Sequence, residues 1–315
     1  MNVFVTGHCG YIGSALMLTL REIPLVSNLT GYDILENDDI LDFDKLVRCM
    51  RRASPHVVIH LAALSTVSAC NDNEKLAIEL NAIGTRNVLR AMEIVGCLHI
   101  IYASTSSVYG DGSNTPYAES SLAAPCSAYG VTKLLGEHVI YRHYANNPGS
   151  YLIYRMFNVV GTSGYPHIDR ISKAGYDRIF SALQSGSITI YGSDYPTKDR
   201  SCERDYVALK DVCAAYVNGI YTIASDQCRQ VVNICSGSPC SVKELIYTWN
   251  EMSKALKVEQ GSDTLPEVKY SYGPRRLGDP AVVFGLNNKA ELIIDWIPTR
   301  KVADIIRDLS HDKKL

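Results

Sequence analysis

The chain has 315 residues, 46% of them hydrophobic and 20% charged, with a net charge of −2 and a sequence pI near 6.4. That balance argues against a nucleic-acid or anionic-membrane partner, since both need a basic face, and no apolar run approaches the roughly 18 residues that span a bilayer. The opening MNVFVTG enters a strand pattern with no basic, apolar leader before it, so a cytoplasmic protein with room for two units is expected.

In chain order, Asn2–Thr6 reads as a strand, residues 7–13 as a glycine-rich turn and 14–22 as a helix. Residues 23–26 read as a very short second strand and 32–36 as a third. Phe43–Ala53 reads as a helix with Leu46, Val47 and Met50 on one face. Residues 57–63 form the continuous apolar run of a buried parallel strand. Residues 74–95 read as one long helix, carrying Leu76, Leu80, Ile83, Ala91 and Val95 at helical spacing, with Gly96 as its stop. A strand at 98–104, a helix at 129–144 and a strand at 151–157 follow.

After Val159, Gly, Pro, Ser and Tyr become frequent. A strand is expected at 231–235, and Ser241-Val-Lys-Glu244 is a capping box before a helix that buries Val242, Leu245, Ile246, Trp249 and Met252. Residues 300–309 close the chain as a helix. The alternation predicts an α/β fold. A Rossmann-like doubly wound parallel sheet occupies residues 1–159, and a smaller mixed α/β unit occupies 160–315, with some segments returning to the first. Ligands of such sheets bind beyond the carboxyl ends of the strands, which singles out residues 7–13, 62–65, 104–107 and Asn158.

Ten cysteines lie at 9, 49, 70, 97, 126, 202, 213, 228, 235 and 240. None forms a CxxC pair and none has zinc spacing with a histidine, so they read as reduced, mostly buried thiols and no metal is assigned.

Gly7, Gly10 and Gly13 follow a strand and open a helix. Gly7 permits the tight turn, Gly10 lets a pyrophosphate approach the backbone, and Gly13 lets the helix sit against the sheet. The helix N-terminus, with Tyr11 and Ile12, offers free N–H groups to the phosphates. Tyr129 and Lys133 form a YxxxK motif, and positions i and i+4 share a helix face. A cation near a phenol favours the phenolate, as a general base requires.

The GxxGxxG spacing resembles the extended short-chain dehydrogenase/reductase family. That resemblance implies NAD as cofactor, with Asp39 and Ile40 at the adenine and Leu61, Ala62 and Ala63 along the dinucleotide. Aligning residues 25–29 on the family's second strand puts Ser27, followed by Asn28, where an acidic residue usually holds the adenosine ribose. The resemblance also implies a catalytic set of Thr105, Tyr129 and Lys133, with Thr105 three residues before Val108-Tyr109-Gly110. Ser106 and Ser107 stand where dehydratases carry Asp-Glu and where decarboxylases carry a Glu, so elimination is disfavoured.

The segment 188–206, reading ITIYGSDYPTKDRSCERDY, is similar to that of UDP-hexose 4-epimerases, and the likeness runs from Met1 to about Asp308. It implies that Arg204 and Arg276 contact a diphosphate and Asp279 the uridine ribose, with Ser106, Asn158 and Tyr206 also at the substrate. Val283 stands where a bulky tyrosine excludes N-acetyl sugars, which implies that UDP-GlcNAc is accepted beside UDP-glucose. Ala128 replaces a proline, Ser65 a lysine, and residues 173–176 an Asn-Leu-Ile-Pro turn. The implied partners are a UDP-sugar and a second copy of the chain, joined through helices 74–95 and 129–144. The alternatives of the same fold are a UDP-glucuronate 4-epimerase and a 4-keto-sugar reductase; a non-catalytic NAD(P)-binding protein is a third reading.

Overall fold

Val3, Phe4 and Val5 of the first strand are all buried, as a strand covered on both faces requires. The computed structural model describes residues 1–112, 115–162, 178–225, 227–260, 265–276 and 279–311. Its elements begin with β1 (Asn2–Thr6), α1 (Tyr11–Arg21), β2 (Asn28–Tyr32), α2 (Phe43–Ala53), β3 (Val57–His60), α3 (Val67–Asp72), α4 (Glu74–Ile78) and α5 (Thr85–Val95). They continue with β4 (His99–Thr105), α6 (Ala128–Asn146), β5 (Ser150–Met156), β6 (Asn158–Val160), α7 (Arg178–Gln184), β7 (Ser187–Tyr191) and β8 (Glu203–Ala208). The last are α8 (Leu209–Ser225), β9 (Arg229–Ile234), β10 (Pro239–Ser241), α9 (Val242–Gln260), β11 (Lys269–Gly273), β12 (Val282–Val283), α10 (Asn288–Ile294) and α11 (Val302–His311).

Six strands form one parallel sheet in the order β2-β1-β3-β4-β5-β9. Leu16 and Leu20 of α1 pack with Val212, Ala215 and Ile220 of α8 on one face. Leu46 and Met50 of α2, Val88 and Met92 of α5, and Ile140 and Tyr144 of α6 cover the other. This is the doubly wound Rossmann-like arrangement. The winding reverses between β1 and β3, so a crevice opens there beyond the strand ends.

The second strand corrects the sequence reading. Residues 23–26 make a turn in which the Val26 N–H donates to the Ile23 carbonyl at 2.9 Å, and β2 begins at Asn28, in register with Asn2. The expected third strand is instead a short 3-10 turn, Ile34–Glu36, capped by Asp33. The reason is local: β2 is an edge strand containing Asn28, Thr30 and Gly31, so it lacks an apolar run, whereas the apolar pair Leu25-Val26 precedes it.

The long helix at 74–95 is interrupted by a π-helical stretch, Glu79–Gly84, and ends on Gly96 in the left-handed conformation, φ 75°. The helix α3 had no clear signal in the sequence.

A second core gathers Trp249, Leu245 and Ile246 of α9, Phe180 of α7 and Ile306 of α11. Around it lie the β10-β8-β12 sheet, with β6 also on β8, and the β11-β7 pair. Ser241 caps α9: its Oγ accepts from the Glu244 N–H at 3.0 Å. All ten cysteines are free. Among the described residues no helix is long and apolar enough to cross a membrane.

Candidate active site

A groove of about 860 Å³ runs along the carboxyl ends of the parallel strands. One end is the turn after β1. Gly7 has φ 73°, and a Cβ there would lie 2.6 Å from the Ala62 backbone nitrogen. A Cβ on Gly13 would lie 2.2 Å from the Gly7 carbonyl oxygen. The turn therefore closes on itself and on the β3 end only without side chains. No side chain caps α1 at Gly10, and Gly10, Tyr11, Ile12 and Gly13 line the groove. An uncapped helix N-terminus in a side-chain-free cradle suits a pyrophosphate, so the residues present fit a dinucleotide. Asp39, Ile40, Leu61, Ala62 and Ala63 border the same groove.

Ser27 and Asn28 do not. They lie at the amino end of the sheet, where Ser27 Oγ accepts from the Met1 ammonium at 3.2 Å and Asn28 donates to the Asn2 side chain at 2.9 Å. The residue that follows β2 at the groove is Asp33, 7% exposed. Its carboxylate accepts from the Cys9 N–H and the Leu35 N–H, both at 2.9 Å. The shift of β2 by several residues moves the acidic position from 27 to 33, and the Ser27 and Asn28 assignments fall with it. An aspartate following Gly-Tyr at the end of a weak strand was the signal that could have found it.

The other end of the groove holds Thr105, Tyr129 and Lys133. Ser127 caps α6, accepting from the Gly130 N–H at 3.1 Å, which sets Tyr129 in the first turn and Lys133 one turn on, facing the β4 end. Thr105 Oγ1 accepts from the Ser107 N–H at 3.2 Å and donates to Ser107 Oγ at 3.3 Å, and its hydroxyl sits near enough to the Tyr129 phenol to act on its pKa. Burial pushes the Tyr129 phenol up to about 12, and the Thr105 hydroxyl works against that. Burial drives the Lys133 ammonium down to about 7, opposed by the Glu137 carboxylate.

Three buried groups brace this cluster. Asn81, in the π-helical stretch, accepts from the Leu64 N–H at 2.8 Å and donates to Thr132 Oγ1 at 3.0 Å, tying the loop after β3 to α6. Glu137 lies one turn beyond Lys133 and pairs with Arg155 of β5 through bonds of 3.0 and 2.7 Å, while Ser104 donates to it at 2.5 Å. The Arg155 guanidinium lies 4.9 Å from the centroid of the Tyr109 ring. Neither Asn81 nor Glu137 has a local sequence signal, because each acts across the fold.

The remaining expected residues divide. Asn158 lines the groove and pairs across β6–β8 with Tyr206, itself buried beside Phe180. Arg204 donates to Asp279 at 2.6 Å, and the Tyr195 hydroxyl donates to the same carboxylate at 3.0 Å. The Arg276 guanidinium lies 3.9 Å from the Tyr191 ring centroid. Val283 packs with Tyr109, Tyr117 and Phe157, and Ser106 opens the turn after β4. Thus Arg204 of β8 pairs with Asp279 and Arg276 lies against Tyr191 of β7, and none of the three is on the groove wall. Residues 173–176 lie outside the described residues.

The NAD dependent epimerase/dehydratase family matches residues 3–235 of the chain. A UDP-glucose 4-epimerase of Halalkalibacterium halodurans is 30% identical over 314 residues, covering 95% of this chain and 91% of the relative. One from Rhizobium meliloti is 27% identical over 320 residues, covering 96% and 94%. Among solved structures, the UDP-glucose-4-epimerase of Stenotrophomonas maltophila with bound NAD and formylated UDP-arabinopyranose is 25% identical, with a TM-score of 0.86 over 100% of this chain and 98% of that one. The Brucella ovis enzyme in complex with NAD gives 25% and 0.86, over 98% and 97%. With a glycine cradle, an acidic strand end and a Tyr–Lys pair on one groove, the chain belongs to the NAD dependent epimerase/dehydratase family.

Proposed function

We propose that the chain is an NAD-dependent UDP-hexose 4-epimerase. The observation that carries this reading is the Thr105–Tyr129–Lys133 cluster on the dinucleotide groove, beside a strand-end turn holding Ser106 and Ser107 and no carboxylate. A ketone formed there has no adjacent acid–base pair to drive loss of water, so it is reduced again. Names and bound molecules of the relatives point the same way.

Bound NAD supplies a reversible hydride acceptor for C4 of the sugar. Tyr129 takes the 4-hydroxyl proton at its phenolic oxygen, and Thr105 hydrogen-bonds that oxygen. Lys133 is the cation of the site, held at the same helix face. Residues 160–315 act as the UDP-sugar unit around Arg204, Arg276 and Asp279, with Asn158, Tyr206 and Ser106 at the join. The nucleotide is held firmly and the sugar loosely, so that the 4-keto sugar turns and presents its other face. No net redox occurs, and NAD should co-purify.

Val283, packed beside Tyr109, Tyr117 and Phe157, stands by resemblance where a tyrosine would exclude an N-acetyl group, so on this reading UDP-GlcNAc is also a substrate. The enzyme is cytoplasmic and a homodimer. Exposed Ile78 on α4 and Val131 and Leu135 on α6 support the second point, since they place apolar side chains outward on the two helices.

The test is a panel of UDP-glucose, UDP-galactose, UDP-GlcNAc and UDP-glucuronate, with product stereochemistry read by proton NMR. The proposal expects interconversion at C4 of the neutral hexoses without added NADH or NADPH. Stoichiometric consumption of NADPH would instead establish a 4-keto-sugar reductase. Tyr129→Phe should bind NAD normally and lose turnover by at least about 100-fold.

A further inference from the structure

Next to the cofactor turn, His8, Cys9 and Asp33 bring a ring nitrogen, a sulfur and a carboxylate oxygen within 4.8 Å of one another. His8 Nε2 lies 3.4 Å from Cys9 Sγ and 3.5 Å from a carboxylate oxygen of Glu36. The His8–Cys9 and His8–Glu36 separations match the geometry of a tetrahedral zinc ion, whose bonds of about 2.0–2.3 Å set neighbouring ligand atoms about 3.5 Å apart. Nitrogen, thiolate sulfur and carboxylate oxygen are also the donor set that zinc takes.

The parts are held in place. Two backbone N–H groups fix the Asp33 carboxylate. The imidazole occupies space that only Gly31 leaves open, since a Cβ at 31 would lie 2.5 Å from the His8 ring. His8 Nδ1 is buried with no hydrogen-bond partner, so the ring is in place without a full set of protein partners. The Asp33 carboxylate, which accepts from the Cys9 N–H, and the Glu36 carboxylate beside His8 put negative charge around the cluster, which favours a cation there. The cluster was invisible as sequence spacing because its members come from the β1 turn and from the end of β2.

We propose that His8, Cys9 and Asp33, with Glu36 in reach as a fourth ligand, form a site for a thiophilic divalent cation such as Zn2+, and that the cation and the dinucleotide exclude each other. The exclusion rests on the reading of Asp33 as the ribose-binding carboxylate; the cation site itself does not.

The experiment uses untagged full-length protein freed of cofactor. NAD binding is first measured in EDTA. Zn2+ and Co2+ are then titrated by calorimetry and absorption, alone and with saturating NAD. One cation per chain is expected, with a thiolate-to-cobalt charge-transfer band that Zn2+ abolishes and NAD suppresses. Cys9→Ser and His8→Ala should each weaken Zn2+ binding by about tenfold or more, with melting in EDTA verifying that both fold, whereas Cys126→Ser, at an exposed thiol, should leave it unchanged. A charge-transfer band that survives Cys9→Ser, or Zn2+ affinity indifferent to both substitutions, overturns the site. NAD and Zn2+ bound together at undiminished affinity overturns the exclusion. NAD that fails to bind even in EDTA sinks the functional reading and leaves the cation readout intact.

Discussion

Lys133 points its ammonium at the face of Tyr102, with Nζ 4.0 Å from the ring centroid, and the Tyr102 hydroxyl donates to the Lys133 carbonyl at 3.5 Å. Lys133 is 2% exposed, so its ammonium is kept where water cannot solvate it. Functional sites commonly carry such a local cost.

That cost has a sign that pH can read. Burial lowers the Lys133 pKa from 10.5 to about 7. Between those values the unfolded chain binds the extra proton and the native chain does not, so the native state gains stability as pH rises through the window. Below about 7 the cost is complete. Lys133→Met should therefore be more stable than the parent at pH 6 by about 1–4 kcal/mol, because Glu137 keeps Arg155 as its partner. The advantage should shrink by pH 9, and turnover should be lost at both. Urea denaturation at the two pH values measures this; a variant less stable at pH 6 contradicts the account.

Asp33 should decide between NAD and NADP. Its carboxylate follows β2 at the groove, and a 2′-phosphate placed against it meets like charge, which costs several kcal/mol across an interface. Asp33→Asn should lower the preference for NAD over NADP by at least about tenfold in calorimetry. Ser27→Ala, at the other end of the strand, should bind both cofactors as the parent does. A loss of NAD affinity in Ser27→Ala would restore the original alignment.

What the sequence disclosed follows from the range of the interactions involved. Phe43–Ala53 is legible at both ends because Leu46, Val47 and Met50 share one helical face; the structure adds an Asp42 cap that accepts from the Lys45 N–H at 3.0 Å. The glycine turn was legible because backbone closeness demands glycine. The edge strand β2 was misplaced because its neighbour on one side is solvent, so its apolar pattern is thin. Asn81, Glu137 and the His8–Cys9–Asp33 cluster were silent because their partners lie on other elements, and spacing along the chain carries no record of them.

Two glycines separate close approach from backbone strain. Gly13→Ala would place a Cβ 2.2 Å from the Gly7 carbonyl oxygen, where only backbone could yield. It should cost about 2–4 kcal/mol and remove NAD binding, since the displaced atoms form the cofactor cradle. Gly96→Ala meets nothing within 4 Å, and its cost is the left-handed φ of 75° alone, about 1–2 kcal/mol. NAD affinity should be untouched by it. Equal losses of cofactor binding in the two variants would refute the steric argument.

The Glu137–Arg155 pair, with side chains 0% and 6% exposed, should show the asymmetry of a buried ion pair. Glu137→Gln keeps the shape but leaves a guanidinium buried without a countercharge, at about 3–5 kcal/mol. Arg155→Met leaves the carboxylate with the Ser104 and Tyr141 hydroxyls at 2.5 and 3.3 Å and the Lys133 ammonium one turn away, and should cost less than Glu137→Gln. The double variant Glu137→Met/Arg155→Met removes both charges and most of the desolvation penalty, so its loss should be smaller than the sum of the two single losses. Midpoints of urea denaturation at a common slope measure all three. Additive losses would mean that the two side chains do not compensate each other, and that Glu137 braces Lys133 by some route other than its bond to β5.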